Sequence, residues 1–307
     1  MDIGTLAANG ADNRLDQMLQ FIANGLCNGA SYALVATGFG LIYTTTGVFH
    51  IAHGAVYTLA AYALYCFFVL VKLPLVLAAV LALSSAAAVG TLIELVVYRP
   101  LGRKRASSAV LMVSSLGVYI VLANLIAMVL GNETKILRPG AEATFTLGNV
   151  ILTRIQAAQL LVSATIIGLY WFFLSRSSLG RLCRAVADDS ALASVLGVKV
   201  EGTRLVAFAV GSFLAAVGSI LVALDVGVDP QVGFPAVLVA AVACNIGGLR
   251  RFIAPAFGGI LLGLVQSLVV WRTSAKWEGA VTFAILIAFL LFRPQGLLQI
   301  RKRLEES

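Results

Sequence analysis

Residues 15–72 read LDQMLQFIANGLCNGASYALVATGFGLIYTTTGVFHIAHGAVYTLAAYALYCFFVLVK, and after Asp16 no Asp, Glu, Lys or Arg appears until Lys72. At about 1.5 Å of rise per residue, one helix of that length would greatly overrun a bilayer core of about 30 Å. The run must therefore turn, and the break falls at Thr44-Thr45-Thr46-Gly47-Val48-Phe49-His50-Ile51-Ala52-His53-Gly54. A turn exposed to cytosol normally carries basic residues, whereas this one carries Thr, Gly and His. Irregular backbone at such a place is expected to be covered by protein or to face a polar cavity.

The rest of the chain follows from that reading. Of its 307 residues 60% are hydrophobic and 12% charged, with a mean hydropathy of +0.97. An ordinary soluble domain is about a quarter charged. The expected fold is an all-α polytopic membrane protein, a single transmembrane domain over 1–307. The apolar segments fall near 17–44, 54–71, 74–98, 108–130, 155–174, 203–224, 236–249, 253–271 and 278–292, giving about eight or nine spans with two broken helices. These runs do not alternate as the strands of a membrane barrel would. The N-terminal acids, with only Arg14 before the first apolar run, do not form the basic start of a cleaved signal peptide.

The net charge of +8 resides largely in short loops beside spans, where it reports orientation and not nucleic-acid binding. Three loops are basic: Arg99 to Arg105, Arg176 to Arg184, and the tail with Arg293, Arg301, Lys302 and Arg303. All three are assigned to the cytoplasm. The spans 108–130 and 155–174 then go out and return, so 131–154 lies outside as a small cap with hairpin composition, and the N-terminus lies outside too.

A second break follows the same plan. Ala240 to Gly248, with Asn245, Gly247 and Gly248, leads through Arg250 and Arg251 to Ile253-Ala254-Pro255 and Gly258-Gly259. Two regions of one plan suggest internal repeats with a substrate path between them.

Gly25–Gly29 and Gly259–Gly263 are GxxxG patterns, serving helix packing within the chain or, alternatively, a dimer seam. His50 and His53, the only histidines, would share a helical face, but no Cys, Asp or Glu stands near them in sequence; a polar role at the break fits better than a metal. Ser31, Tyr32, Thr37 and Thr44–Thr46 either line a path or bond to their own backbone. Glu94 and Arg99 are placed where both reach the interface, and Asp225, Asp229 and Glu278 at outer span ends. No acid is mid-span, which disfavours ion coupling. Cys27, Cys66, Cys183 and Cys244 are scattered, three of them in apolar runs, and read as small buried hydrophobes, not as a disulfide frame or a zinc site.

Ser177–Gly197, SSLGRLCRAVADDSALASVLG, is a polar island. Arg181 and Arg184 precede Asp188 and Asp189. Asp188, Asp189 or Ser190 can cap a short helix closed by Gly197, with Leu192, Val195 and Leu196 as its apolar face. Adjacent acids disfavour a helix lying on lipid headgroups and favour docking to a protein. The chain holds no GxxxxGK[ST] phosphate loop, no GxGxxG turn and no Ser/His/Asp set. An active transporter of this kind must take its ATP hydrolysis from another subunit; no cofactor is expected.

These residues resemble the membrane permeases of branched-chain amino acid ABC importers, the smaller of the two paired permeases most closely. The resemblance runs from Asn24-Gly25 through Ser31-Tyr32-Ala33-Leu34, and through Gly47-Val48-Phe49-His50-Ile51-Ala52-His53-Gly54. It continues through Gly180-Arg181-Leu182-Cys183-Arg184-Ala185 and Ala193-Ser194-Val195-Leu196-Gly197-Val198. It closes with Gly247-Gly248, Gly258-Gly259 and Arg293-Pro294-Gln295-Gly296-Leu297-Leu298. The chain departs from the family at His50, where Asn is frequent, at Ala55, where an acid is frequent, and at the basic pair Arg250-Arg251. The resemblance implies a homologous second permease, two cytoplasmic ATPases, a soluble extracytoplasmic binding protein and a bacterial inner membrane. It makes 177–197 a coupling segment seated on the ATPase through Arg181, Arg184, Asp188, Asp189, Leu192, Leu196 and Gly197. It places the path at Ser31, Tyr32, Thr45, Gly47, His50, His53, Gly54, Asn245, Gly247 and Gly248. Urea or a short amide is the alternative cargo, and an ATP-independent channel or a membrane-embedded enzyme the alternative class.

Overall fold

The computed structural model describes residues 3–138, 143–248 and 252–292, with the side chains at 3–13, 15, 275, 278, 290 and 292 left aside. Arg250, Arg251 and the whole basic tail from Arg293 lie outside the described residues, as does the side chain of Glu278.

Seven helical segments are long and apolar enough to cross a membrane: 16–46, 53–70, 75–103, 108–130, 154–176, 200–226 and 254–272. Two shorter apolar helices, 233–247 and 279–289, complete the set among the described residues. In chain order the helices are α1 (Ile3–Thr46), α2 (His53–Tyr65), α3 (Leu75–Ile93), α4 (Arg99–Arg103), α5 (Ser108–Leu130) and α6 (Arg154–Arg176). They continue as α7 (Ser178–Asp188), α8 (Ser190–Val195), α9 (Val200–Val226), α10 (Gly233–Gly247), α11 (Ala254–Arg272) and α12 (Glu278–Phe292). Glu94–Tyr98 forms a π-helical stretch that joins α3 to α4 without a break.

The centre of the bundle is α1. Of its most apolar window 83% is buried, against 17% in α5, so α1 is a core helix and α5 lies at the periphery. It packs along α11, α9 and α10. Glycines make the α1–α11 seam: a Cβ on Gly25 would stand 2.8 Å from Ser267 Cβ, and one on Gly29 would stand 2.9 Å from Ile260 Cα. Both GxxxG motifs are consumed by this seam within the chain, so neither is a free dimer surface.

The 131–154 loop departs from a purely helical fold. Strands β1 (Thr144–Leu147) and β2 (Val150–Thr153) pair antiparallel around Gly148, whose φ is +63°. The Gln20 amide acts as an extra strand residue on this hairpin: its Nε2 donates to Ile151 O at 2.8 Å and its Oε1 accepts from Ile151 N at 2.8 Å. Asn149 Nδ2 donates to Asp16 Oδ1 at 2.7 Å. A further bridge joins Lys135 to Val228. The start of α1, the 131–154 loop and the α9–α10 turn therefore share one side of the molecule, the side opposite the basic loops. Thr153 and Gln156 form a capping box that starts α6 directly from β2.

Two expectations change. Glu94 does not reach the interface; it is 2% exposed and accepts from Arg204 Nε at 2.8 Å, a pairing that removes the need to snorkel. Arg99 turns instead to Glu201, which also accepts from Arg103. Cys183, which lies outside the long apolar runs, is fully buried, while Cys66, inside one, is half-buried.

Candidate functional site

The 177–197 segment is two helices, not one. Ser177 Oγ accepts from Gly180 N at 2.9 Å and starts α7. Gly180, Cys183 and Val186 fall on one face of α7 and are buried. A Cβ on Gly180 would lie 2.6 Å from Leu174 Cα, so glycine lets α7 fold back tightly against the end of α6. Burial beside Tyr170, Leu174 and Ala207 pushes the Cys183 thiol up to about 11, so it serves as packing and not as a nucleophile. Asp188 closes α7 instead of capping the next helix. Asp189 is the cap: its Oδ1 accepts from Ala191 N at 2.9 Å and Leu192 N at 3.0 Å. Gly197 at φ +85° ends α8 as glycine was expected to.

Leu192, Val195 and Leu196 are 56%, 83% and 75% exposed, on a helix in the midst of charges. Only Ala193 of α8 is buried, so the apolar face points away from the bundle. Arg181 is partly tethered, its guanidinium donating to Arg176 O and Ser178 Oγ. Arg184 and Asp188 line a cavity of about 380 Å³ with Trp171, Leu174, Ser175, Phe252 and Ile253. The cavity joins the cytoplasmic segment directly to the second helix break, which ends at Ile253. Tyr170 reinforces the link by donating to Phe252 O at 3.4 Å.

The first break is a closed polar knot. Gly47, at φ +70°, ends α1 with its N–H on Tyr43 O at 2.8 Å. The next turn is held from a distance. Ala52 N donates to Ser115 Oγ at 2.9 Å, Tyr98 OH donates to the same oxygen at 2.6 Å, and His50 Nδ1 meets Tyr98 OH at 2.9 Å. The two histidines do not share a helical face: His50 sits in the turn and His53 is the first residue of α2. Both are fully buried, with ring centroids 5.6 Å apart. Among the described residues no group of three or more His, Cys, Asp or Glu stands together.

The second break uses small residues instead. Gly248 at φ +96° ends α10, its N–H on Cys244 O at 2.8 Å. Pro255 opens α11, where its missing N–H leaves no bond unmade. Gly247 lies against Ala254 and Gly258 against Ala243, backbone on backbone. Asn245 Nδ2 donates to Ala241 O at 2.9 Å.

The two breaks meet. A small cavity of about 80 Å³ is lined by Phe39, Tyr43, Phe49, Ala241, Cys244 and Asn245, drawn from both. Phe49 stands edge-on to Phe39 at 5.2 Å and to Tyr43 at 6.3 Å. This aromatic trio was missed in the sequence, although Phe39 and Tyr43 stand four apart on the helix leading into the break. Of the residues expected on the path, Asn245 lines this cavity, and Gly47, His50, His53, Gly54, Gly247 and Gly248 build the two breaks beside it. Gly54 packs backbone on backbone against Gly233 at the start of α10. Thr45 is buried and its Oγ1 has no partner among the described residues. Thr37, Thr44 and Thr46 bond to their own helix. Ser31 and Tyr32 lie some four turns away, about 20 Å along α1. Ser31 is buried and accepts from Gln159 Nε2 at 2.6 Å; Tyr32 is half-buried.

The family model described as "Branched-chain amino acid transport system / permease component" matches residues 21–290. The high-affinity branched-chain amino acid transport system permease protein BraD of Pseudomonas aeruginosa is 31% identical over 294 residues, covering 91% of this chain and 95% of its own. The permease protein LivH of Escherichia coli K12 is 30% identical with the same coverage. Among solved structures, PsaBC from Streptococcus pneumoniae in complex with Fab superposes with a TM-score of 0.52 at 13% identity, over 93% of this chain and 97% of that one. At that identity the likeness is one of fold.

Proposed function

The chain belongs to the branched-chain amino acid transport permease family, and from that premise we propose that it is the membrane-spanning subunit of an ABC importer for leucine, isoleucine, valine or a close relative. It is a multi-pass inner-membrane permease, not an enzyme. Its proposed companions are a homologous second permease, two cytoplasmic ATPases and an extracytoplasmic binding protein that selects the cargo.

The observation that carries this reading is the cleft that Arg184 and Asp188 share with Phe252 and Ile253. A partner ATPase would grip the exposed Leu192, Val195 and Leu196, with Arg181, Asp188 and Asp189 around them. Any displacement of α7 then acts on Phe252 through the wall of one cavity and through the Tyr170 bond. The second break in turn forms one side of the aromatic constriction, opposite Phe39, Tyr43 and Phe49. ATP-driven movement of the cytoplasmic segment would so open and close the apolar passage. A mostly apolar constriction with a single amide, Asn245, suits aliphatic side chains and offers no tight ionic site that would slow release.

The test is the paired change Arg184→Gln and Asp188→Asn in the assembled importer, measuring ATPase co-purification and ATP-dependent leucine uptake in proteoliposomes. Uptake should fall at least tenfold with the permease still folded. Unchanged assembly and uptake would remove the coupling assignment.

A further inference from the structure

A second cavity, of about 500 Å³, opens at the far cytoplasmic corner of the molecule and takes no part in the coupling route. It is lined by Leu95, Arg99, Pro100, Arg103 and Lys104, where the third span ends in α4. Three cations face one space. A single carboxylate, Glu201, bonds Arg99 and Arg103, so two positive charges stay uncompensated and no ion pair takes up Lys104 among the described residues. Arg99 also keeps a buried Nε–H with no acceptor among the described residues. A buried donor without an acceptor is uncommon and suits an anionic oxygen. Directly towards the membrane from these cations, Leu92, Leu95 and Val96 are 54%, 38% and 64% exposed.

From this pairing we propose that the corner is a binding site for one acidic phospholipid of the cytoplasmic leaflet, with the phosphate among Arg99, Arg103 and Lys104 and an acyl chain along Leu92, Leu95 and Val96. A soluble anion would use the cations alone and leave the apolar strip unexplained. An acidic protein segment would need the cations to project beyond the membrane surface, whereas here they end a transmembrane helix. The basic side of the molecule is the cytoplasmic one, where anionic headgroups attract each nearby Lys or Arg by about 1 kcal/mol, roughly fivefold in affinity. The occupant would also brace the α4–α9 junction, because Glu201 belongs to the first turn of α9.

The test uses the full chain in nanodiscs of phosphatidylcholine with increasing phosphatidylglycerol, read by native mass spectrometry. Lys104→Gln is the principal variant, since it breaks no ion pair, and Arg138→Gln in the external loop is the control. One tightly retained phosphatidylglycerol is expected. Retention should weaken about fivefold in Lys104→Gln, about 25-fold when Arg103→Gln is added, and not at all in the control. Equal retention of both lipids, or an unaffected Lys104→Gln, would overturn the site. Full displacement of phosphatidylglycerol by millimolar inorganic phosphate would overturn the lipid in favour of a free anion. Loss of ATPase assembly in Lys104→Gln with lipid retention unchanged would overturn it in favour of a protein contact.

Discussion

The two helix breaks solve one problem by different chemistry. Between α1 and α2 the chain leaves helical geometry for six residues, and its freed polar groups are met by side chains: Ser115 takes the Ala52 N–H, and Tyr98 and His50 complete the chain of bonds. Between α10 and α11 the described residues are held by close backbone contact at Gly247, Gly258 and Pro255, with few side-chain bonds among them. Directional hydrogen bonds from two separate helices, α5 and the continuous α3–α4 helix, fix a turn in place. Smooth small-residue contact tolerates sliding. The second break is also the one that borders the cytoplasmic cleft. From this difference we infer that the first break is the anchor and the second the part that moves.

Substitutions can break this contrast. The largest effect is expected from Gly258→Leu. Its Cβ would meet the Ala243 carbonyl, which cannot yield without separating α10 from α11. Overpacking of this kind costs up to about 3 kcal/mol, occasionally more, and should abolish a monodisperse, detergent-stable permease on size exclusion. Next comes Tyr98→Phe at the anchor. It leaves His50 Nδ1 without its partner and should lower stability by about 1–2 kcal/mol in a thermal-shift assay, while uptake per folded molecule stays within about twofold. A folded Tyr98→Phe permease without uptake would make the first break a working part. Asp189→Ala removes the α8 cap, which amounts to about 1 kcal/mol locally. Since α8 is exposed, the global melting point should hardly move while ATPase co-purification drops. The smallest effect is expected from Asn245→Ala, which frees one bond to Ala241 O and should change leucine uptake by less than threefold.

Much of this arrangement was legible in the chain. Gly197 has the positive φ that its place after a short helix suggested, and Gly47 and Gly248, read as parts of the two helix breaks, have it as well. Thr, His and Gly in place of Lys and Arg signalled a covered turn at the first break, and it is covered. The 144–153 hairpin, the cap at Asp189 and the apolar Leu192–Leu196 face are local features and follow from local rules; the Ser177 cap obeys the same rule but was not read. What was not legible depends on meetings across the fold. Glu94 looked like an interfacial acid because Arg204, its partner, is 110 residues away. Phe39 and Tyr43 were indistinguishable from lipid-facing aromatics until α10 was placed beside them. The tuck of α7 against α6 turns on Gly180 meeting Leu174, a contact that spacing alone does not announce.

The most direct test of a fixed first break and a moving second one is hydrogen–deuterium exchange on the assembled importer, with and without ATP under non-hydrolysing conditions. ATP should change protection in 178–197 and 252–258 and leave 47–56 as it was. A change at 47–56 equal to or larger than that at 252–258 would contradict the account.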